Sequence, residues 1–334
     1  MASVTLFVFD DFVQVGAVAN YTSLEWVRRY NADGEFTLTL PFSTENFELL
    51  ALWRVLYKRE TREGGIITGR KVVRGQDGTD TMTITGRFLS SFLRERTYRF
   101  TGTGLIDGIV NNLVADALIT SSRTNRRIPG FQIVPYSIPP VTVSLDNAGK
   151  EYNLYALVEG LAKQSGLGFA VDFDPERRTF DFRMYQGRET GVVFSEQYNN
   201  VMEQDYYESI EGYKNTCIIG NVIVGDDNAG IRRREVSTES NTASGITVAE
   251  QGALYLLQHS SILTFDTVVS AESMQFTYLT DWDVGDVVLC RNTRYNISAH
   301  KTIVEVTESY DLDALHISVL FGDLIPTVRQ LIRG

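Results

Sequence analysis

The chain has 334 residues, and at about 150 residues per domain this length predicts two domains or a divided β-rich one. Hydrophobic residues make up 43% and charged residues 22%, a globular composition that excludes wholesale disorder. The formal charge of −11 disfavours adhesion to nucleic acid or anionic lipid, because such binding depends on clustered Lys and Arg.

The N-terminal segment is apolar but has no basic residue before it, so it does not predict a signal peptide. No stretch reaches the roughly 18 uncharged apolar residues that a membrane span requires. We therefore expect no transmembrane helix and no membrane insertion by this chain.

The first hundred residues predict antiparallel strands rich in β-branched and aromatic residues. The Asp33-Gly34 pair is typical of a tight hairpin with positive-φ positions, and Phe36, Leu38 and Leu40 then alternate with threonines as in a half-buried strand. A second hairpin is predicted around a turn at residues 75–78. These patterns indicate an antiparallel β domain.

From about residue 100 the apolar period changes to 3.6, which predicts a helix over residues 106–118 that Thr103 could cap. A second helix is predicted after an Asn153 cap, ending at Gly166 in a left-handed residue. A hairpin of residues 168–173 and 179–185 follows. Residues from about 100 to 190 are thus predicted to form a small α/β insert.

After residue 193 strand patterns return. They are interrupted by a polar stretch from Gly225 to Gly245, predicted to be an exposed loop. We expect a short helix over residues 248–258 and another over 327–334. Further strands are predicted at residues 262–269, 274–279, 286–291, 302–309 and 314–321. Turn signals about every ten residues favour a barrel or sandwich.

Candidates for catalysis or metal binding are few. The three histidines, His259, His300 and His316, show no paired-ligand spacing, and the strand pattern around His316 predicts an outward-facing side chain. The sequence also lacks a GxSxG nucleophile elbow. Cys217 and Cys290 lie in apolar strand-like runs, which favours buried free thiols over a disulfide.

The segment of residues 102–108 contains three glycines before a helix and superficially resembles a dinucleotide-binding turn. Its third glycine is one residue late, and a basic run from Arg123 to Arg127 stands where the acidic residue is expected. A flexible helix entry is the better interpretation.

Three charged clusters have both a functional and an ordinary interpretation. Glu196, Glu203 and Asp205 could supply a glycosidase acid pair, but such clusters arise by chance among 42 acidic residues. Residues 232–234, all arginine, could hold phosphate, although a solvated strand end is favoured. Residues 226–228 could bind calcium, yet the rest of a twelve-residue calcium loop is missing. We therefore predict no catalytic, cofactor-binding or metal-binding residues.

Several segments, taken in order, match one protein family in pattern and spacing. They are Tyr30-Asn31, Gly34 and the Phe36-x-Leu38-x-Leu40-Pro41 strand; Ile84-Thr85-Gly86 with Leu89, Leu93 and Arg96; residues 194–200; Tyr278, Asp281 and residues 284–288; and Ile303, Val306 and residues 317–322. Together they resemble the tail-tip hub family of long-tailed phages, which includes the baseplate hub of contractile tails and the tail-associated hub of flexible tails. The Gly285-Asp286 step also has a local reason, because it predicts a tight turn into a strand.

The resemblance implies a mainly β fold with an α/β insert and two β-barrel-like domains of phage tail hub type. The expected divisions are a first barrel at residues 1–98, the insert at 99–192, a second barrel at 193–325 and a helical tail at 326–334. The implied function is a non-enzymatic structural hub at the distal end of the tail, located in the virion after synthesis in the host cytoplasm.

The family's architecture further implies a homotrimer whose six barrels form a ring that matches a sixfold tube. Such a ring would adapt the tail tube to the tip and let DNA pass without specific binding. The implied neighbours are the tail tube or distal tail protein, the tape-measure protein, and tip fibre or spike proteins.

Two alternatives stay open at this point. A tail-associated cell-wall hydrolase would need a nucleophile, acid pair or metal site, and many relatives carry such activity in a C-terminal extension beyond the point where this sequence stops, at Gly334. A carbohydrate-binding adhesin would display exposed aromatic residues, for which Trp282 and Tyr295 are the candidates.

Overall fold

The structure is a computed structural model, and it describes residues 4–76, 78–146, 151–225, 229–240, 248–259, 261–269, 275–294, 296–311 and 314–322. The N-terminal segment contains seven strands and one short helix, in the order β1 Leu6–Asp10, β2 Val13–Val18, β3 Ser23–Arg29, β4 Glu35–Pro41, α1 Thr44–Leu49, β5 Val55–Lys58, β6 Glu63–Arg74 and β7 Asp80–Phe88.

The central segment mixes helices with strands, in the order β8 Thr97–Tyr98, β9 Thr101–Leu105, α2 Ile106–Val114, β10 Phe131–Ile133, β11 Thr142–Asp146, β12 Tyr152–Asn153, α3 Leu154–Ser165, β13 Gly168–Asp174, β14 Thr179–Tyr185 and β15 Glu189–Phe194. The last segment returns to strands, with β16 Val201–Ser209, β17 Thr216–Ile219, β18 Val222–Val224, β19 Glu235–Thr238, α4 Val248–Gln258, β20 Ile262–Val269, β21 Val287–Asn292, β22 Ile297–Tyr310 and β23 Leu315–Phe321.

One large sheet connects the two ends of the chain. Its main path runs β10-β14-β13-β6-β7-β4-β3-β22-β23-β20-β16, with β1, β2 and β5 attached beside β6, and β21 and β15 attached beside β22. The step from β3 to β22 is antiparallel and pairs Leu24 with Tyr310 and Arg29 with Glu305. The mainly β class is confirmed, and the strand pairing of the described residues is an open path that closes no barrel.

The alternation predicted for β4 is present, since Phe36, Leu38 and Leu40 are buried. The hairpin before β4 differs from the expected type because Gly34 is not at positive φ. Gly34 is needed there for close packing instead. A Cβ at this position would lie 2.3 Å from the carbonyl oxygen of Val27.

Both predicted helices of the insert are present. At α3 the side chain of Asn153 accepts a hydrogen bond from the Ala156 N–H at 3.3 Å, and Gly166 ends the helix at φ +64, as predicted. The predicted cap of α2 is wrong. Its N-cap is Leu105, because Thr103 still lies within β9, and the helix continues into a π-helical turn at Ala115–Ile119.

The prediction of a continuous loop from Gly225 to Gly245 is wrong where the structure describes it. A 3₁₀ turn covers Gly230–Arg232, and β19 pairs in parallel with β17. Four residues of mixed polarity are too few for periodicity to reveal such a strand. The strand expected near residues 274–279 is also replaced, in its described part, by a turn with a single bridge from Tyr278 to Trp282.

Three hydrophobic clusters form the cores. One gathers the inward faces of the N-terminal strands around Trp26, and another the C-terminal strands around Trp282. The third lies under α2 and α3 and also takes Phe9 and Tyr57 from β1 and β5. The first and central segments therefore share a core as well as a sheet. The predicted helix at residues 327–334 lies outside the described residues.

The turn predicted at Gly285-Asp286 is confirmed, with Gly285 at φ +95 and the Asp286 N–H donating to the Asp283 carbonyl at 3.1 Å. A Cβ on Gly285 would come within 2.5 Å of the Tyr30 ring. The position thus needs glycine both for its backbone conformation and for space.

We expect Gly285→Ala to lower the denaturant midpoint of unfolding, because the side chain must clash with Tyr30 and adopt an unfavourable φ. Gly191→Ala is the matched control, since that glycine lies in β15 with no atom within 4 Å of an added Cβ and no positive φ. Equal midpoints for the two variants in urea would contradict this account of the turn.

Candidate functional site: a buried ionic junction

Arg28 lies at the centre of the contact between the N-terminal and C-terminal strands. It is carried by β3, which pairs with β4 on one side and β22 on the other, and its side chain is only 7% exposed. Its Nε donates to Glu63 Oε1 at 2.5 Å and its Nη1 donates to the hydroxyl oxygen of Tyr278 at 2.8 Å. The same Nη1 contacts the carboxylate of Asp283. One guanidinium group thus binds residues from both ends of the chain.

A second buried pair joins Lys58 on β5 to Glu308 on β22. The two side chains are 2% and 0% exposed and are separated by 250 residues in sequence. Glu308 also accepts hydrogen bonds from the hydroxyls of Tyr278 at 2.8 Å and Tyr310 at 2.6 Å. Because the Tyr278 hydroxyl contacts Arg28 as well, the two ion pairs belong to one network, which we call the ionic junction.

The electrostatics of the ionic junction follow from burial opposed by close charges. Burial alone would raise the pKa of Glu308, but the charges of Lys58 and Arg28 and the hydrogen bonds outweigh it, so this pKa lies below its ordinary value. Burial is the main cause that raises the pKa of Tyr278. The tyrosines therefore remain protonated donors to an ionised carboxylate.

A second network fixes the insert to the N-terminal strands. Asp33 is 2% exposed at its side chain and accepts from Arg94 Nε at 2.9 Å and from Arg87 Nη1 at 3.1 Å. Arg94 also stacks 3.6 Å from the ring centroid of Tyr155 on α3. Burial would raise the pKa of Asp33, but hydrogen bonds and charge from Arg94, with Tyr155 and Arg87, hold it below the ordinary value.

A third set of contacts fixes the insert to the C-terminal strands. Arg188 Nη2 lies 2.6 Å from Asp286 Oδ2, and the Arg188 backbone N–H donates to the same carboxylate at 2.8 Å. Tyr30 adds a contact between the insert and the N-terminal segment, since its hydroxyl accepts from the Gly187 N–H at 3.1 Å and donates to the Gly166 carbonyl at 3.0 Å. All three segments are therefore connected pairwise by polar contacts.

A cavity of about 510 Å³ opens where the three segments meet. Its lining includes arginine–carboxylate pairs such as Arg183 with Asp172 at 3.0 Å, and Arg188 with Asp286. No histidine or cysteine belongs to this lining among the described residues. Most of the charged groups in the lining take part in ion pairs among the described residues, an arrangement typical of structural contacts.

The acid residues proposed for a glycosidase do not line this cavity. Glu196 and Glu203 are exposed on a 3₁₀ turn and on β16 respectively. The side chain of Asp205 and residues 226–228 lie outside what the structure describes. No group of three possible metal ligands occurs among the described residues.

The histidines occupy ordinary positions. His316 is exposed on β23, as predicted, with Nε2 at 3.6 Å from Asp311 Oδ2. His259 stacks on Tyr255 and contacts its carbonyl, and His300 is exposed on β22. These environments match satisfied or solvated side chains.

Both cysteines are free and buried, as predicted, and burial raises the pKa of Cys290 to about 12. The arginines of residues 232–234 directly precede β19, and Arg233 pairs with Glu235 at 2.5 Å, consistent with the predicted strand end. Trp282, a candidate glycan-binding residue, is 2% exposed, so its proposed display on the surface is wrong. Tyr295 lies outside the described residues.

Sequence reasoning did not single out Arg28, Lys58, Glu63 or Glu308. A weak signal was present, because Lys58 ends the apolar run of β5 and Glu308 interrupts the pattern of β22. Such an interruption can equally mark a solvated residue at a strand end. Only the three-dimensional pairing identifies the partners.

Comparisons with known proteins agree on one class. The fold is that of phage tail proteins. It is similar to the 43 kDa tail protein of prophage MuSo2 from Shewanella oneidensis (TM-score 0.64, 11% identity, 96% of this chain and 98% of that one). It is also similar to a tail protein from Neisseria meningitidis (TM-score 0.61, 12% identity, 95% of this chain and 95% of that one). A third similar structure is prophage tail protein gp18 from Listeria monocytogenes (TM-score 0.60, 15% identity, 99% of this chain and 99% of that one).

The family model of Siphovirus ReqiPepy6 Gp37-like proteins matches residues 5–323, and the chain belongs to this family. No curated protein matches the chain in sequence. The predicted resemblance to phage tail-tip proteins and the predicted place in the virion tail are confirmed, and the protein is a phage tail structural protein. In the part of the chain that the structure describes, no helix is long and apolar enough to cross a membrane.

Breaking one half of the Lys58–Glu308 pair is expected to cost more than removing both charges. Lys58→Met leaves a buried uncompensated carboxylate and should lower the free energy of unfolding by about 3–5 kcal/mol. Adding Glu308→Gln should recover part of that loss. Lys71→Met, at an exposed position on β6, is the control, and urea denaturation provides the measurement. If the double variant lost as much unfolding free energy as the two single variants added together, the coupling between Lys58 and Glu308 would be contradicted.

The lowered pKa of Glu308 predicts acid sensitivity with a definite sign. Because its folded pKa lies below the unfolded value of about 4.3, its ionised form stabilises the fold above that pH, and this contribution is lost as the pH falls through the lowered pKa. Glu308→Gln should therefore flatten the decline of the unfolding free energy below about pH 4.3. The control is Glu25→Gln, which removes an exposed carboxylate on β3. Its unfolding free energy should fall with pH as steeply as that of the wild type. Identical acid profiles for the wild type and Glu308→Gln would contradict the assignment.

Proposed function

We propose that the protein is the structural hub at the distal end of the phage tail, adapting the tail tube to the tip. The observation that carries this proposal is the ionic junction, which locks the first and last parts of the chain into one sheet through β3 and β22. A hub transmits force between neighbours, and buried charge-paired contacts between segments give such a part a single rigid arrangement. The shared fold with phage tail proteins over nearly the whole chain supports the same role.

The finer architecture that we propose is two barrel-like domains at residues 1–98 and 193–325, with the insert at 99–192 and a tail at 326–334. The separate clusters around Trp26 and Trp282 support two β cores. The insert has its own helices, although its core also takes residues from β1 and β5.

We propose that three copies form a ring. Strands β2 and β16 each pair on one side only within the described residues, and unpaired edges tend to aggregate unless a neighbour covers them. Closed cyclic assembly provides such a neighbour. Two barrel-like domains in each of three copies would supply six, which suits a sixfold tube.

The proposed ring encloses an acidic channel through which DNA passes. Each copy carries a formal charge of −11, so carboxylates that face the channel would repel the phosphate backbone and prevent it from binding. The proposed neighbours are the tail tube or distal tail protein, the tape-measure protein, and tip fibre or spike proteins. The role is structural and not catalytic, because the described polar groups of the junction are committed to ion pairs.

Images of negatively stained assembled tails should show this protein as a threefold ring at the tip, and native mass spectrometry of the protein released from tails should show three copies. A monomer in the assembled tail would overturn the ring. A channel lined by Lys and Arg would overturn the proposed acidic channel, because such a surface would bind the DNA.

A further inference from the structure

A group of four arginines lies at the boundary between the N-terminal strands and the insert of this acidic chain. It consists of Arg96, Arg123, Arg126 and Arg127, and we call it the arginine cluster. Arg96 Nη2 donates to the Arg126 carbonyl at 3.0 Å and Arg126 Nη2 donates to the Thr97 carbonyl at 2.6 Å. These bonds hold the guanidinium groups together, while Arg123 and Arg127 are exposed.

The positive charge of the arginine cluster is not neutralised within the part of the chain that the structure describes. None of its four members lies within 4.0 Å of a carboxylate oxygen among those residues. Their donors point instead to backbone carbonyls, as Arg127 Nε does to Ser121 at 2.8 Å. Burial, followed by the charge of Arg126, lowers the pKa of Arg96, and the charge of Glu95 opposes this shift. Such a cluster favours an anionic partner.

A group of exposed glutamates lies on the C-terminal strands. Strand β16 ends the main sheet, since within the described residues it pairs with β20 alone. Glu203 and Glu208 on this strand have side chains on opposite faces of the sheet, and with Glu211 just after the strand they are exposed and form no ion pair with described residues. Met202 is 67% exposed beside them. We call this surface the acidic edge.

We propose that the arginine cluster of one copy docks onto the acidic edge of the next copy. The inference rests on the proposed ring and names the surfaces that build it. The two surfaces belong to different segments, so the contact is head-to-tail, the type of interface that builds a ring when the rotation between copies closes. It also covers the open side of β16.

Charge complementarity explains why the partner is a second copy. Chains of charge −11 repel one another, but at physiological salt this repulsion is screened beyond about 8 Å, so local contacts of opposite sign decide whether copies associate. Nucleic acid is disfavoured as the occupant, because the chain as a whole carries a formal charge of −11 and the cluster contains only four arginines.

Sedimentation velocity over a concentration series tests the contact. Arg123→Glu with Arg127→Glu should weaken self-association about tenfold or more, and Glu203→Arg with Glu208→Arg should do the same. A chain with all four substitutions should associate again, because the contact is then re-formed with reversed signs. Lys71→Glu with Arg74→Glu changes the net charge by the same amount as the arginine-cluster variant and should have little effect, since both residues are exposed on β6.

The other outcomes separate this inference from the ring itself. Self-association that neither charge reversal weakens, or that the four substitutions do not restore, overturns the docking while leaving a ring built through other surfaces. Wild-type protein that stays monomeric throughout the series also overturns it, and the ring is then judged by images of assembled tails. Binding of a double-stranded DNA oligonucleotide that Arg123→Glu with Arg127→Glu abolishes would assign the arginine cluster to phosphate and overturn the docking as well.

Discussion

The pairing of β3 with β22, sealed by the ionic junction, is the constraint on which the rest of the structure depends. Removing Arg28, Lys58, Glu63 and Glu308 from water is costly, and the cost is offset only when each charge meets its partner. If β22 shifted by one residue relative to β3, Glu308 would turn to the opposite face of the sheet and lose its contact with Lys58. The junction therefore specifies one arrangement of the two ends of the chain more than it adds net stability.

This constraint also accounts for the strongly shifted pKa values of the junction through structural contacts alone. Perturbed groups often identify catalytic residues, but structural ion-pair networks perturb pKa values as well. Tyr278 and Tyr310 have raised pKa values chiefly because they are buried, and each donates a hydrogen bond to Glu308. Their partners are fixed side chains of the same network, as is typical of a structural contact between segments.

The relation to other tail proteins separates fold from surface. Identity of 11–15% with tail proteins of similar fold leaves few surface residues in common, so the shared property is the framework of strands and cores. The surface of this chain carries exposed arginines, among them Arg123, Arg127 and Arg232, as well as exposed carboxylates. Charges at such positions affect stability little, which leaves them free to adapt to neighbours.

Local patterns in the sequence determined the local elements. The periods of β20 and α4, the Asn153 cap and the Gly166 end of α3 were all predictable, because each depends on residues within a few positions of one another. The short strand β19 and the burial of Trp282 were not, since each depends on neighbours supplied by distant strands. Only the tertiary structure decided that Lys58 meets Glu308 and that Arg28 meets Asp283. A partner about 250 residues away leaves no periodic trace in the sequence, and a charged residue in a strand looks the same whether it faces water or a buried counter-charge.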